Sequence, residues 1–130
     1  TALIVIEGKR TEAGPTTHTT WMKNRHQMLR HLDCAWEILQ GRDLYGFFIV
    51  EGEDESGSVP GDWKAACKET NSQSAIDGSL PHRSATDKKS ISGAFLGATT
   101  WQRVCCDFGV ERELPHRADE DQSGASSSGR

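Results

Sequence analysis

Ala2-Leu-Ile-Val-Ile-Glu-Gly-Lys-Arg10 decides how this chain is read, because a run of apolar, largely β-branched residues leads straight into a Glu-x-Lys triplet. In an extended strand alternate side chains share a face, so Leu3, Val5, Glu7 and Lys9 point one way and Ile4, Ile6, Gly8 and Arg10 the other. Both faces begin apolar, which predicts a central strand covered on both sides. A carboxylate and an ammonium side by side at the end of such a strand carry a desolvation cost. A divalent metal and a phosphate would offset it.

Downstream, the threonine-rich segment from Thr11 to Thr20 contains Gly14-Pro15 and reads as a loop. Asn24 and Gln27 have the spacing of a capping box. Met28, Leu32, Ala35 and Leu39 then recur at i, i+4, i+7 and i+11, which predicts a helix from Arg25 to Leu39 that closes near Gly41. Leu44 to Val50 is a second apolar and aromatic run, ended by the acidic cluster Glu51 to Glu55. That cluster lacks the calcium-loop pattern and reads as a solvated strand end. A helical crossover between two apolar strands suits a parallel pair, with an antiparallel return also open. The core is therefore α/β.

The rest divides by composition. Residues 56–79, rich in Gly, Ser, Asp and Asn, read as an exposed connection with a candidate short helix over Asp62 to Lys68. Ser84-Ala-Thr-Asp87 opens a helix expected to reach residue 96, and Thr99 or Thr100 caps another whose apolar stripe is Trp101, Val104, Cys105 and Phe108, stopping at Gly109. Residues 80–113 are thus expected to be a small helical pair, and 114–130 a disordered acidic and Ser/Gly tail. With residues 1–55 as the partial α/β core, the fold class is α/β, strand-helix-strand followed by a helical segment.

At 130 residues and 35% hydrophobic content the chain supports one compact domain. It has neither a membrane-length apolar run nor a signal-like leader, so an intracellular, cytoplasmic protein without a membrane partner is expected. A net charge of −4 argues against a protein that coats nucleic acid, although the excess acid lies downstream of residue 50. Thr1 opens almost inside a strand, as expected of a piece of a longer chain. Cys34, Cys67, Cys105 and Cys106 show no Cys-x-x-Cys spacing and are expected as reduced, mostly buried thiols. A zinc adaptor drawing on Cys67, His82, Cys105 and His116 would match no standard zinc spacing.

Glu7-Gly8-Lys9 at the end of an apolar strand, followed by a helix and a second apolar strand, resembles the second half of the PD-(D/E)xK nuclease core. Restriction endonucleases and many repair nucleases share that fold. The resemblance covers residues 2 to 53 and implies a partial restriction-endonuclease-like core that hydrolyses phosphodiester bonds with Mg²⁺ (or Mn²⁺). It implies Glu7 as metal ligand, Lys9 as the lysine that assists water and balances phosphate charge, and Gln27 as a polar residue facing the metal. Arg10, Arg25, Arg30 and His31 become candidates for phosphate contacts, and the partner is nucleic acid, DNA foremost. The family's second metal-binding aspartate would precede Thr1. His31 stands where some branches carry a tyrosine, four residues after the glutamine. Asp62-Trp63-Lys64 and Asp87-Lys88-Lys89 match the same short string, but neither ends an apolar strand. The competing reading is a non-catalytic interaction module, in which Glu7 and Lys9 form a structural ion pair and the helical pair docks on a protein or duplex.

Overall fold

The apolar runs assemble into a parallel sheet in which β1 (Ala2–Gly8), β2 (Asp43–Val50) and β3 (Phe95–Thr100) lie side by side in that order. The computed structural model describes residues 1–12, 14–15 and 25–111. The helices are α1 (Gln27–Glu37), α2 (Gly61–Thr70), α3 (Gln73–Ser79), α4 (Ala85–Gly93) and α5 (Trp101–Phe108). The crossover from β1 through α1 to β2 is parallel, which closes the alternative left open by the sequence. Leu3 pairs with Leu44, Val5 with Gly46 and Glu7 with Phe48.

One face of the sheet carries the core. Met28, Leu32 and Ala35 of α1 pack on Leu44, Phe48 and Val50 of β2, with Leu3 and Val5 at the margin. Gly46 makes this approach possible, because a Cβ there would lie 2.7 Å from Leu32 Cδ2 and 3.1 Å from Met28 Sδ. α1 is shorter than the periodicity predicts. His26 occupies its N-cap without a side-chain bond, so the expected capping box is not used; Asn24 lies outside the described residues.

Residues 56–79 are not a plain exposed connection. They hold α2 and α3, and Trp63 and Cys67 are buried in the same core, the Trp63 ring 5.1 Å from that of Phe48. The expected helical pair over 80–113 is also corrected, because β3 separates α4 from α5. Phe95-Leu-Gly-Ala-Thr-Thr has weak strand propensity, yet pairing with β2 supplies its backbone partners and buries Phe95. Gly97, at φ +99°, sits where the register slips between Gly46 and Phe48, leaving one extra residue on β3. The predicted caps stand: Ser84 Oγ accepts from Asp87 N at 3.1 Å, and Thr100 Oγ1 accepts from Arg103 N at 3.3 Å. Gly109 closes α5 in the left-handed conformation.

β1 is not covered on both sides by the described residues. Ile4 is 54% exposed and Ile6 53%, because α5 reaches the second face only near Gly8. The expectation of mostly buried thiols also fails: all four cysteines are free, but Cys34 and Cys106 are exposed, Cys105 is half-buried and only Cys67 is buried. The loop expected over Thr11 to Thr20 lies largely outside the described residues, and the tail at 114–130 wholly so.

Candidate functional site

At the carboxyl end of β1, where parallel α/β sheets place their sites, the strand's alternation turns Glu7 toward α1. Gln27 and His31, one helical turn apart on α1, face it from the helix. Gln27 Nε2 donates to Glu7 Oε1 at 3.0 Å, and Lys9 Nζ lies 3.3 Å from the same oxygen. His31 Nε2 lies 3.4 Å from Glu7 Oε2. Three residues implied by the resemblance, Glu7, Lys9 and Gln27, are thus gathered with His31 around one carboxylate. Gln27 is the first residue of α1 rather than its N-cap, and its amide is engaged with Glu7.

Lys9 is held by its backbone. Its N–H donates to Ile49 O at 2.8 Å, extending the sheet ladder one residue past Gly8, and its carbonyl accepts from Trp101 Nε1 at 3.3 Å. The Trp101 ring lies against Gly8, where a Cβ would come within 3.1 Å of Cζ2. Trp101 therefore fastens the Glu7–Lys9 segment from α5. In the sequence Trp101 belongs to an apolar stripe, and no local signal links it to a strand so far upstream.

The cationic candidates are placed less uniformly. Arg25 Nη2 lies 3.5 Å from Asp33 Oδ2, which engages its guanidinium with α1. Arg30 is half-buried on α1, and its main-chain N–H donates to His26 O at 3.1 Å. Arg10 lines a shallow depression of about 220 Å³ with Glu12, Glu51, Gly52, Pro60, Asp62 and Trp63. The acidic cluster after β2 is used in a turn: Asp54 Oδ1 accepts from Ser56 Oγ at 2.6 Å and from Ser58 N at 3.3 Å, which holds its carboxyl below the usual range.

Among the described residues no group of three His, Cys, Asp or Glu side chains converges as a metal cage. Cys67, offered for a zinc site, is buried in the core, where desolvation pushes its thiol pKa up; His116 lies outside the described residues. Glu7 is better suited to Mg²⁺, which keeps most of its waters, takes phosphate oxygens and needs only one or two protein carboxylates. No helix among the described residues is long and apolar enough to cross a membrane. No family model matches this chain, and neither a curated protein nor a solved structure matches it.

Proposed function

We propose that this chain carries half of the active site of a Mg²⁺-dependent nuclease that hydrolyses phosphodiester bonds of nucleic acid, DNA foremost. The observation that carries the reading is the convergence of Lys9, Gln27 and His31 on the Glu7 carboxylate at the carboxyl end of a parallel strand. Glu7 would hold the metal with one oxygen. When bound, Mg²⁺ supplies a more acidic water and neutralises phosphate charge.

The remaining roles belong to this chain. Lys9, anchored through its own N–H and C=O, keeps a point charge beside the carboxylate, positioned to stabilise negative charge that grows on a phosphate in the transition state. Gln27 fixes the Glu7 rotamer through its amide, so the carboxylate meets the metal without reorganising. The same strand end would serve a purely structural module equally well if Glu7 and Lys9 only paired with each other. Such a module would have no contiguous helical pair for docking, because β3 lies between α4 and α5.

Lys9→Ala in the full-length protein is the deciding experiment. Mg²⁺-dependent cleavage of DNA should be abolished while the circular dichroism spectrum is retained. Undiminished cleavage would overturn the assignment.

A further inference from the structure

The second face of the sheet, turned away from α1, is apolar and open over its amino-terminal part. Register sets Ile4 beside Tyr45 and Ile6 beside Phe47, and Leu96, next to the core residue Phe95, turns to the same side. Ile4, Ile6, Tyr45 and Leu96 are 54%, 53%, 41% and 63% exposed, and Phe47 is half-buried. The nearest charge in this ladder is Asp43, opposite Ala2 at the amino end of the strands. Glu7 turns the other way, toward α1. A parallel sheet is ordinarily covered on both faces, whereas among the described residues only α5 reaches this one, near Gly8.

Together these side chains expose on the order of 500 Å², as much as the largest apolar patch of a typical soluble monomer. Two copies face to face would remove about 1,000 Å², the least that a specific interface needs. The face carries no charge cluster that would select a foreign partner, and against its own copy it meets an apolar surface of the same outline. The chain's tail lacks the residues to cover it, since residues 112–130 hold Leu114 as their one large aliphatic or aromatic side chain. We propose that two copies of this chain stack these faces, sheet on sheet, about a two-fold axis, with Ile4, Ile6, Tyr45, Phe47 and Leu96 of each at the centre. A two-fold running across the strands keeps the two Asp43 carboxylates at opposite ends, and the sheets pack about 10 Å apart, as in a β-sandwich. Because Glu7 lies on the opposite face, the dimer leaves the candidate site clear and stands independently of the nuclease reading.

Sedimentation velocity of the full chain over the micromolar range tests this. The wild type should move from monomer to dimer as its concentration rises. An interface at the lower size limit is a weak one, so the dimer dissociates in dilute denaturant melts. Ile6→Asp and Tyr45→Asp should each weaken dimerisation about tenfold or more, because each places a carboxylate in the apolar centre. Ile38→Ser, at an exposed apolar residue on the C-cap of α1 and off the sheet, should leave dimerisation unchanged. A wild type that stays monomeric, as it would if another segment or a foreign protein covered the face, overturns the proposal. So does a dimer that both aspartate variants keep. Should those variants misfold by circular dichroism, the wild type decides. Tyr45 is the chain's one tyrosine, so its ring resonances can be followed and should shift with protein concentration. Resonances that stay fixed while the chain dimerises overturn the proposal.

Discussion

Buried on α1, the Asp33 carboxylate meets Arg83 Nε at 2.6 Å, His82 Nε2 at 2.9 Å and Arg25 Nη2 at 3.5 Å. Arg83 also pairs with Glu37, and these two acids hold its pKa above the usual arginine value. Asp33→Ala strands these cations at the helix surface and should cost about 2 kcal/mol, because their partial exposure softens the penalty of breaking a buried pair; the shift in urea midpoint measures it. His26 is the second buried polar residue of consequence. Its N–H donates to Ser79 Oγ at 2.9 Å and its Nδ1 lies 3.3 Å from Thr70 Oγ1. Desolvation lowers its pKa, partly countered by Glu69. The fold therefore favours neutral His26, and its contribution is complete above the ordinary histidine pKa, about 6.5. It is lost as pH falls through that value toward the lower folded pKa. The melting temperature of the wild type should drop over this interval more steeply than that of His26→Asn; parallel curves would refute the assignment.

At the scale of elements, α2 belongs to the core rather than to a connection. Trp63→Ala empties the space against Phe48 and should cost about 3–5 kcal/mol in chemical denaturation. Thr100 joins β3 to α5 through one hydroxyl, which accepts from Arg103 N and donates to Gly57 O at 2.8 Å. Thr100→Ala should lose about 1–2 kcal/mol, more than a cap alone, since Gly57 O is left unpaired as well. The strand-helix-strand unit was legible in residues 2–50 because its apolar patterns are strong: β1 is a continuous, largely β-branched apolar run, and Met28, Leu32 and Ala35 follow the helical stripe. β3 was not legible. Its Gly and Ala centre carries no strand signal, and its order comes from hydrogen bonds to β2.

Across the whole molecule, helices α1 to α4 cover one face of the sheet, while α5 reaches the other only near the Glu7–Lys9 end. Adjacent residues of β1 should therefore respond in opposite ways to the same change. Ile6→Asp, on the open face, should cost about 1 kcal/mol, whereas Val5→Asp, packed against the core, should cost about 3 kcal/mol or more. Denaturant melts of the two variants decide this, and equal losses would mean that the second face is covered in solution. The same architecture explains why the site forms where it does. β1 and α1 are separate in sequence, and only the parallel crossover sets Gln27 and His31 over Glu7.

The sequence by itself determined the α/β core, the placement of Glu7 and Lys9 on one face of a strand end, the cap at Ser84, the stop at Gly109, and a threonine cap for α5 at residue 99 or 100. Each of these follows from local periodicity or from a single residue's hydrogen-bonding chemistry. Tertiary structure alone decided that β3 pairs with β2, that Trp63 joins the core, that Trp101 fastens Lys9, and that His31 faces Glu7 while Arg25 turns to Asp33. Those outcomes depend on which surfaces meet after the chain crosses over, and the energy of a long-range contact leaves no periodic trace in the residues that make it.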